Sequence, residues 1–118
     1  YYIWGQKLYQ SGQHERAFYV YADAVDRYWT NKDFVNNCQV AYFNAQSDNW
    51  AQKDWDSFKK TYSRMWDLNL LSDKHIQEEK QHMRTWIHYS SSHFSPARHH
   101  NVVQFWKKYF PNDPLFRN

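Results

Sequence analysis

The sequence predicts an all-α fold in which antiparallel helix hairpins stack as an α-solenoid of six or seven helices. One spacing of residues occurs twice, 34 positions apart (17 and 51, for example). Its first copy is Gly5, Leu8, Gly12, Ala17, Tyr21 and Ala24. Its second copy is Gln39, Tyr42, Gln46, Ala51, Trp55 and Phe58. Such a self-match is typical of helical repeats, in which each helix pair buries its apolar face against a neighbour.

The composition also favours helices. The 118 residues include only two glycines and three prolines, so few positions interrupt a helix. Aromatic residues make up 21% of the chain. Because each buried ring removes about 150–250 Å² from water, a core of rings can be large. The length predicts one compact unit.

The first hairpin is predicted within 1–30. Its first helix, about 1–11, should bury a face formed by Tyr1, Trp4, Leu8 and Ser11. Gly12 permits a tight turn at little steric cost. The second helix, about 14–28, has an apolar stripe formed by Ala17, Tyr21, Ala24 and Val25. The alanines let the two helix backbones approach closely.

The second hairpin is predicted within 31–66. Thr30 and Asn31 can cap a helix over about 32–46. Its buried side should contain Phe34, Val35, Cys38, Ala41, Tyr42 and Ala45. A turn is expected at Ser47, Asp48 and Asn49. The fourth helix, about 50–66, has one apolar face formed by Ala51, Trp55, Phe58, Tyr62 and Met65.

The repeat weakens after Met65, and a divergent hairpin is expected over 67–118. A continuous fifth helix, about 73–89 after Ser72 as cap, should stack Ile76, Lys80, Met83 and Ile87. A break near Lys80, giving seven helices, is the alternative. The segment 90–93 should be a loop. Ser95-Pro96 then begins a helix to about 110, because proline in the first turn loses no needed hydrogen bond. Its buried side should contain Val102, Val103, Phe105 or Trp106, and Phe110.

The first copy of the spacing reads G-x-x-L-x-x-x-G-x-x-x-x-A-x-x-x-Y-x-x-A and resembles the tetratricopeptide repeat. Residues 1–66 resemble two such repeats, 1–30 and 31–66, within a single domain over 1–118. The resemblance implies a right-handed superhelix of helix pairs. It also implies that the first helix of each pair lines a concave groove for an extended peptide or a partner helix.

The resemblance is nearest to the chaperone-adaptor type, whose members clamp the terminal carboxylate of a chaperone. In the 34-residue register, the five clamp positions hold Tyr2, Gln6, Asn37, Asp67 and Leu71. Only Asn37 matches, and the three cations are missing. Because a carboxylate needs charge-assisted donors to offset its desolvation, we expect no such clamp here.

The same register predicts a peptide-binding groove. Its expected residues are Tyr2, Gln6, Tyr9, Asn36, Asn37, Val40, Phe43 and Asn44. Amide side chains can pair with a peptide backbone, and tyrosine rings supply contact area at low entropy cost. The alternative is a merely solvated helix face, but three extra aromatic residues on that side favour binding.

Other clusters suggest weaker hypotheses. A metal cluster is conceivable at His75, Glu78, Glu79 and His82. The pair His99-His100 can join a zinc site only if the tertiary fold happens to bring further ligands to it. The usual interpretation is a polar outer face. Cys38 falls on an apolar helix side and is expected in the core. The run from Trp106 to Phe110 combines rings with Lys107 and Lys108, a pattern that can stack on nucleic acid but is more typical of an amphipathic helix.

Charge and cysteine content set broad limits. The net charge of +3 falls short of a nucleic-acid-binding stripe. The single cysteine excludes an intramolecular disulfide and favours a reducing compartment such as the cytoplasm. No apolar run approaches the ~18 residues that cross a bilayer. The chain starts without methionine, from which we expect a domain of a longer protein or an engineered chain.

Together these patterns predict a non-enzymatic protein-interaction module that binds a peptide or partner helix, with no catalytic residues, metal or cofactor. One alternative is a structural or engineered repeat scaffold without a natural ligand. A second is a small helical metal-binding protein that uses the His-rich segment 75–100. Membrane and nucleic-acid partners are not expected.

Overall fold

The computed structural model describes residues 2–116, and for Tyr2 the backbone alone. In this part of the chain there are six α-helices and no strand, which confirms the all-α prediction and six helices rather than seven. The helices are α1 (Tyr2–Gln10), α2 (His14–Arg27), α3 (Lys32–Ala51), α4 (Trp55–Asp67), α5 (Asp73–His93) and α6 (Pro96–Tyr109). A short 3₁₀ helix follows at Pro114–Phe116. None of the described helices is long and apolar enough to cross a membrane.

The chain divides into two compact units. Unit 1 is Tyr1–Leu71 and contains α1 to α4, and unit 2 is Ser72–Asn118 and contains α5, α6 and the 3₁₀ helix. The division falls close to the expected boundary between the second repeat and the divergent hairpin. A single domain over 1–118 stays a prediction.

Side-chain caps begin α3 and α6 as the sequence predicts, whereas Ser72 precedes α5 without a side-chain cap hydrogen bond. The Asn31 side chain accepts hydrogen bonds from the backbone N–H groups of Asp33 and Phe34 at the start of α3. Ser95 does the same for the N–H of Arg98 ahead of Pro96. Between α1 and α2, Gly12 has a φ of +82°, a left-handed conformation that glycine adopts without penalty.

In unit 1, α2 is packed against three other helices. Its buried side chains are Ala17, Phe18, Val20, Tyr21, Ala22, Ala24 and Val25. Phe18 contacts Tyr42 of α3, with ring centroids 5.7 Å apart, and both rings are fully buried. Burying one such ring stabilises the fold by about 1.5–3 kcal/mol. The alanine-rich sequence of α2 therefore leaves room for aromatic neighbours.

The predicted end of α3 is wrong. This helix continues to Ala51 instead of ending at Gln46, and Ser47, Asp48 and Asn49 are helical. The Gln46 amide is buried and donates to the backbone oxygen of Phe58 in α4 at 3.0 Å. Asn49 donates to the Gln46 side chain at 3.0 Å. These polar residues bond to neighbouring groups within the fold, so the helix continues through them.

The turn between α3 and α4 lies at 52–54 instead. Lys53 has a φ of +53°, and Asp54 caps α4 by accepting from the Ser57 N–H at 3.2 Å. As a result, Ala51 belongs to α3 and is exposed, whereas the repeat predicts it on the apolar face of the fourth helix. The other predicted members of that face are buried: Trp55, Phe58, Tyr62 and Met65.

Polar contacts also join α4 to α2. The Glu15 carboxylate accepts from the Thr61 hydroxyl at 2.8 Å and from the Asn49 amide at 3.4 Å. Farther along, the Arg64 guanidinium pairs with Asp23 and Asp26 on the exposed side of α2. Because Thr61 is fully buried, its bond to Glu15 satisfies a group that burial would otherwise penalise.

The inward face of α1 differs from the prediction by about one residue. Gly5 and Leu8 are buried, while Trp4 is 58% exposed and Ser11 is exposed. The predicted contribution of Tyr1 lies outside the described residues. Gly5 is buried because α2 presents a large ring there, and only a residue without a side chain leaves space for it.

In unit 2, α5 and α6 form an antiparallel hairpin. The inward side chains of α5 are Glu79, Met83, Trp86 and Ser90. The predicted stack is therefore displaced, with Met83 buried but Ile76, Lys80 and Ile87 half-buried. On α6 the buried residues are Val102 and Trp106, which selects Trp106 over Phe105.

The predicted loop at 90–93 is also wrong, because α5 continues to His93. The Ser90 hydroxyl donates to the Ile87 oxygen at 3.0 Å, and Ser91 donates to the His88 oxygen at 2.7 Å. Serines can bond back to helical carbonyls in this way and so remain within a helix.

The two alanines of the repeat provide a matched stability test. Ala17 is fully buried in α2 and Ala51 is exposed at the end of α3. We expect Ala17→Leu to overpack the core and lower the free energy of unfolding by about 1–3 kcal/mol. Ala51→Leu should change it by less than about 0.5 kcal/mol. Urea denaturation measures both, and equal costs would contradict the packing of α2.

Candidate functional site

A cleft of about 290 Å³ opens in unit 1, where α1 and α3 approach each other over α2. Its lining residues are Gln6, Tyr9, Gln10, Tyr21, Asn37 and Val40. Three of them are amides, two are tyrosines and one is aliphatic. The lining therefore combines apolar surface with a few hydrogen-bonding groups, as ligand sites usually do.

Tyr21 of α2 contributes a ring to this cleft. The side chain is only 3% exposed, so its position is set by its surroundings. Gly5 of α1 determines part of that position, since a Cβ there would lie 2.7 Å from the Cε1 and Cζ atoms of the ring. The glycine of the repeat pattern thus lets α1 pass directly over Tyr21.

Tyr9 of α1 is held by two neighbours. The Asn44 amide of α3 donates to the Tyr9 hydroxyl at 3.1 Å. The His14 ring lies against the Tyr9 ring, with centroids 5.0 Å apart. His14 is in turn bonded through Nδ1 to the Asp48 carboxylate at 2.6 Å. A chain of contacts from α3 through α2 therefore positions one wall of the cleft.

Asn37 and Val40 of α3 form part of the lining, one helical turn apart. Val40 is 42% exposed and contributes the aliphatic group of the lining. Asn37 is half-buried, and among the described residues no side chain is hydrogen-bonded to its amide. This wall presents an apolar group beside an amide.

Only some of the eight predicted groove residues line the cleft. Gln6, Tyr9, Asn37 and Val40 line the cleft. Asn44 instead holds Tyr9, and Phe43 is half-buried edge-on against Tyr42. Asn36 is exposed and is not part of the lining. The side chain of Tyr2 lies outside the described residues.

Two lining residues were missed by the sequence reasoning. Gln10 follows Gln6 by four residues, so a helical wheel drawn for α1 places both on one side. Tyr21 was assigned to the core, which is correct for its burial but incomplete for its role. No sequence signal distinguishes a core ring from one that also lines a cleft.

The histidine-rich segment does not gather a metal-ligating group within the described residues. Glu79 is buried while Glu78 is exposed, and the His75 ring bonds to the Ser72 hydroxyl at 3.1 Å. Burial lowers the pKa of His82, against a smaller opposing effect of Glu78. His99 bonds to Ser90, with Nδ1 and the hydroxyl 2.6 Å apart.

The last helix has an amphipathic arrangement. Trp106 and Phe110 are buried, whereas Lys107 and Lys108 are exposed. The rings that suggested stacking on nucleic acid therefore belong in part to the core of unit 2.

Cys38 is fully buried in α3, as the sequence predicts. Burial raises the pKa of its thiol to about 12. The thiolate is the reactive form, so this cysteine has the environment of a structural residue.

Comparison of the chain with protein-family models, curated proteins and solved structures finds no match.

The contact between Gly5 and Tyr21 leads to a prediction of unusual sign. Replacing a glycine within a helix by alanine normally gains about 0.5–1 kcal/mol. Gly5→Ala should instead lower the free energy of unfolding by about 1–3 kcal/mol, because the new methyl group meets a buried ring. Thermal denaturation measures the change. A stabilised variant would show that α1 does not pass over Tyr21.

The buried thiol leads to a second prediction. At about pH 8 the native protein should react with a disulfide reagent far more slowly than the unfolded chain. Between the ordinary thiol pKa of 9.0 and about 12, the folded state retains the proton more strongly. The contribution of Cys38 to stability should therefore fall as the pH rises through that window. Rapid reaction of the native protein with the reagent would contradict the burial of Cys38. The Cys38→Ala variant, which has no thiol, is the control.

Proposed function

We propose that unit 1 is a non-enzymatic protein-interaction module that binds an extended peptide in the cleft between α1 and α3. The observation that carries the proposal is the lining itself, in which amides and tyrosines face one space of about 290 Å³. An amide side chain offers both donors and an acceptor, which is what a peptide backbone requires.

The held position of Tyr9 supports the same function. A side chain that is ordered before binding loses less entropy when a ligand arrives. Asn44 and His14 supply that order through the hydroxyl and the ring of Tyr9. A solvated helix face has no need of such an arrangement.

The α-solenoid and the resemblance to tetratricopeptide repeats are part of this proposal. In its support, α1 pairs with α2, α3 pairs with α4, and the first helices of the two pairs share the cleft. The longer α3 departs from the 34-residue register, since it ends at Ala51. The chaperone-adaptor assignment is proposed only as far as this groove, without the clamp.

A random peptide library displayed on phage and selected on the whole chain tests the proposal. We expect enrichment of related sequences whose binding is lost when unlabelled peptide competes. Failure to enrich any sequence would contradict the proposed function and favour a scaffold without a natural ligand.

Asn37 and Asn36 are neighbours of the same type, but only Asn37 lines the cleft. Asn37→Ala should weaken a selected peptide by about 1–3 kcal/mol, because a bonded peptide group loses its partner. Asn36→Ala should leave the affinity within error. Isothermal titration measures both, and equal effects would remove Asn37 from the site. Equal thermal midpoints of the two variants would separate binding from stability.

Because the clamp positions lack cations, a free C-terminal carboxylate on a peptide should not raise its affinity for the cleft. No lysine or arginine is among the described residues that line the cleft. Peptides that end in an acidic chaperone-type tail should therefore bind no better than the same peptides amidated at the C-terminus. A clear preference for the free acid would show that a nearby cation such as Lys7 takes the clamp role.

A further inference from the structure

Among the described residues, the lining of the cleft has no formal charge. All six residues are amides, tyrosines or valine. Lys7 follows Gln6 on α1 and Asp33 precedes Asn37 by one turn on α3, but both are exposed and neither belongs to the lining. A charged ligand group that gives up its hydration in this space would meet no opposite charge on the described lining residues, which is unfavourable.

The size of the cleft limits what it can hold. Sites for drug-sized ligands usually measure about 300–1,000 Å³, and this cleft, at about 290 Å³, lies just below that range. A cavity of about 150 Å³ already accepts a benzene ring. A space of about 290 Å³ therefore suits one bulky side chain together with the adjoining peptide backbone.

The groups in the lining divide the recognition into two parts. The Tyr9 ring and Val40, with the small accessible part of the Tyr21 ring, offer contact to an aromatic or aliphatic side chain. The amides of Gln6, Gln10 and Asn37 offer hydrogen bonds to the backbone on either side of that residue.

We infer that the cleft takes a single bulky, uncharged residue from the interior of a partner polypeptide and rejects a charged residue at that position. This inference rests on the proposed function and adds the chemistry of the ligand. The partner segment needs no free terminus, because recognition comes from one side chain and its flanking peptide groups.

The experiment uses a peptide selected from the library and synthesised in four versions. An alanine scan first identifies the anchor, the position whose replacement costs most affinity. That position is then made Phe, Leu, Asp or Lys, and each dissociation constant is measured by titration with the whole chain. The Asp and Lys versions should bind at least about tenfold more weakly than the Phe and Leu versions, a difference of about 1.4 kcal/mol.

A charge placed in the lining should offset the expected disadvantage of the Lys version. Val40 is partly exposed, so Val40→Asp should leave the fold intact while it introduces a carboxylate at the cleft. The affinity of the Lys version should then rise at least about tenfold relative to that of the Phe version. Asn36→Asp adds the same charge on the same helix outside the lining and should leave the order unchanged.

The outcomes separate the two ideas. If peptides bind in the wild-type protein but a charged anchor equals or exceeds Phe and Leu, the inference is overturned and the proposed function stands. If Val40→Asp and Asn36→Asp have the same effect on the affinity of the Lys version relative to the Phe version, including no effect, the anchor lies outside the cleft and the inference is overturned. If no peptide binds at all, both the proposed function and the inference fail.

Discussion

The packing of α2 is the constraint on which the rest of unit 1 depends. Ala17, Ala22 and Ala24 are fully buried and take little space, so neighbouring helices approach this one closely. Phe18 fills the gap toward α3, and Tyr21 lies beneath Gly5 of α1. Glu15 bonds to α4 through Thr61. One helix therefore fixes the positions of three others, and a change of volume along it affects them all.

The cleft is a consequence of that packing. Because α1 and α3 both rest on α2, they lie beside each other without filling the space between them. The Tyr21 ring reaches this space from α2, while Asn37 and Val40 reach it from α3. The same contacts that stabilise the hairpins thus leave a cleft whose described lining residues are uncharged. Asn44 and His14 do not fill the cleft; they hold Tyr9 in position at its edge.

Helical periodicity predicts the six helices and most of the core, because apolar residues recur every three or four positions along each helix. It fails where a polar residue is buried by a partner distant in sequence. Asn49 looks like a turn residue until its contacts to Gln46 and Glu15 are known. The repeat register predicts Gln6, Tyr9, Asn37 and Val40 together but misses Tyr21, since burial and cleft lining are not exclusive. Within the described residues, the histidine-rich segment does not gather a metal-ligating group, because spacing along a helix does not by itself bring side chains together.

The central claim is that a peptide occupies the space between α1 and α3. Nuclear magnetic resonance of side-chain amide groups tests it directly, since Gln6, Gln10 and Asn37 each carry one in the lining. On titration with a selected peptide, the resonances of these three residues should shift. Those of Gln52 and Asn69, exposed in turns of unit 1, should not. Shifts at Gln52 and Asn69 with none at the three cleft residues would contradict the claim.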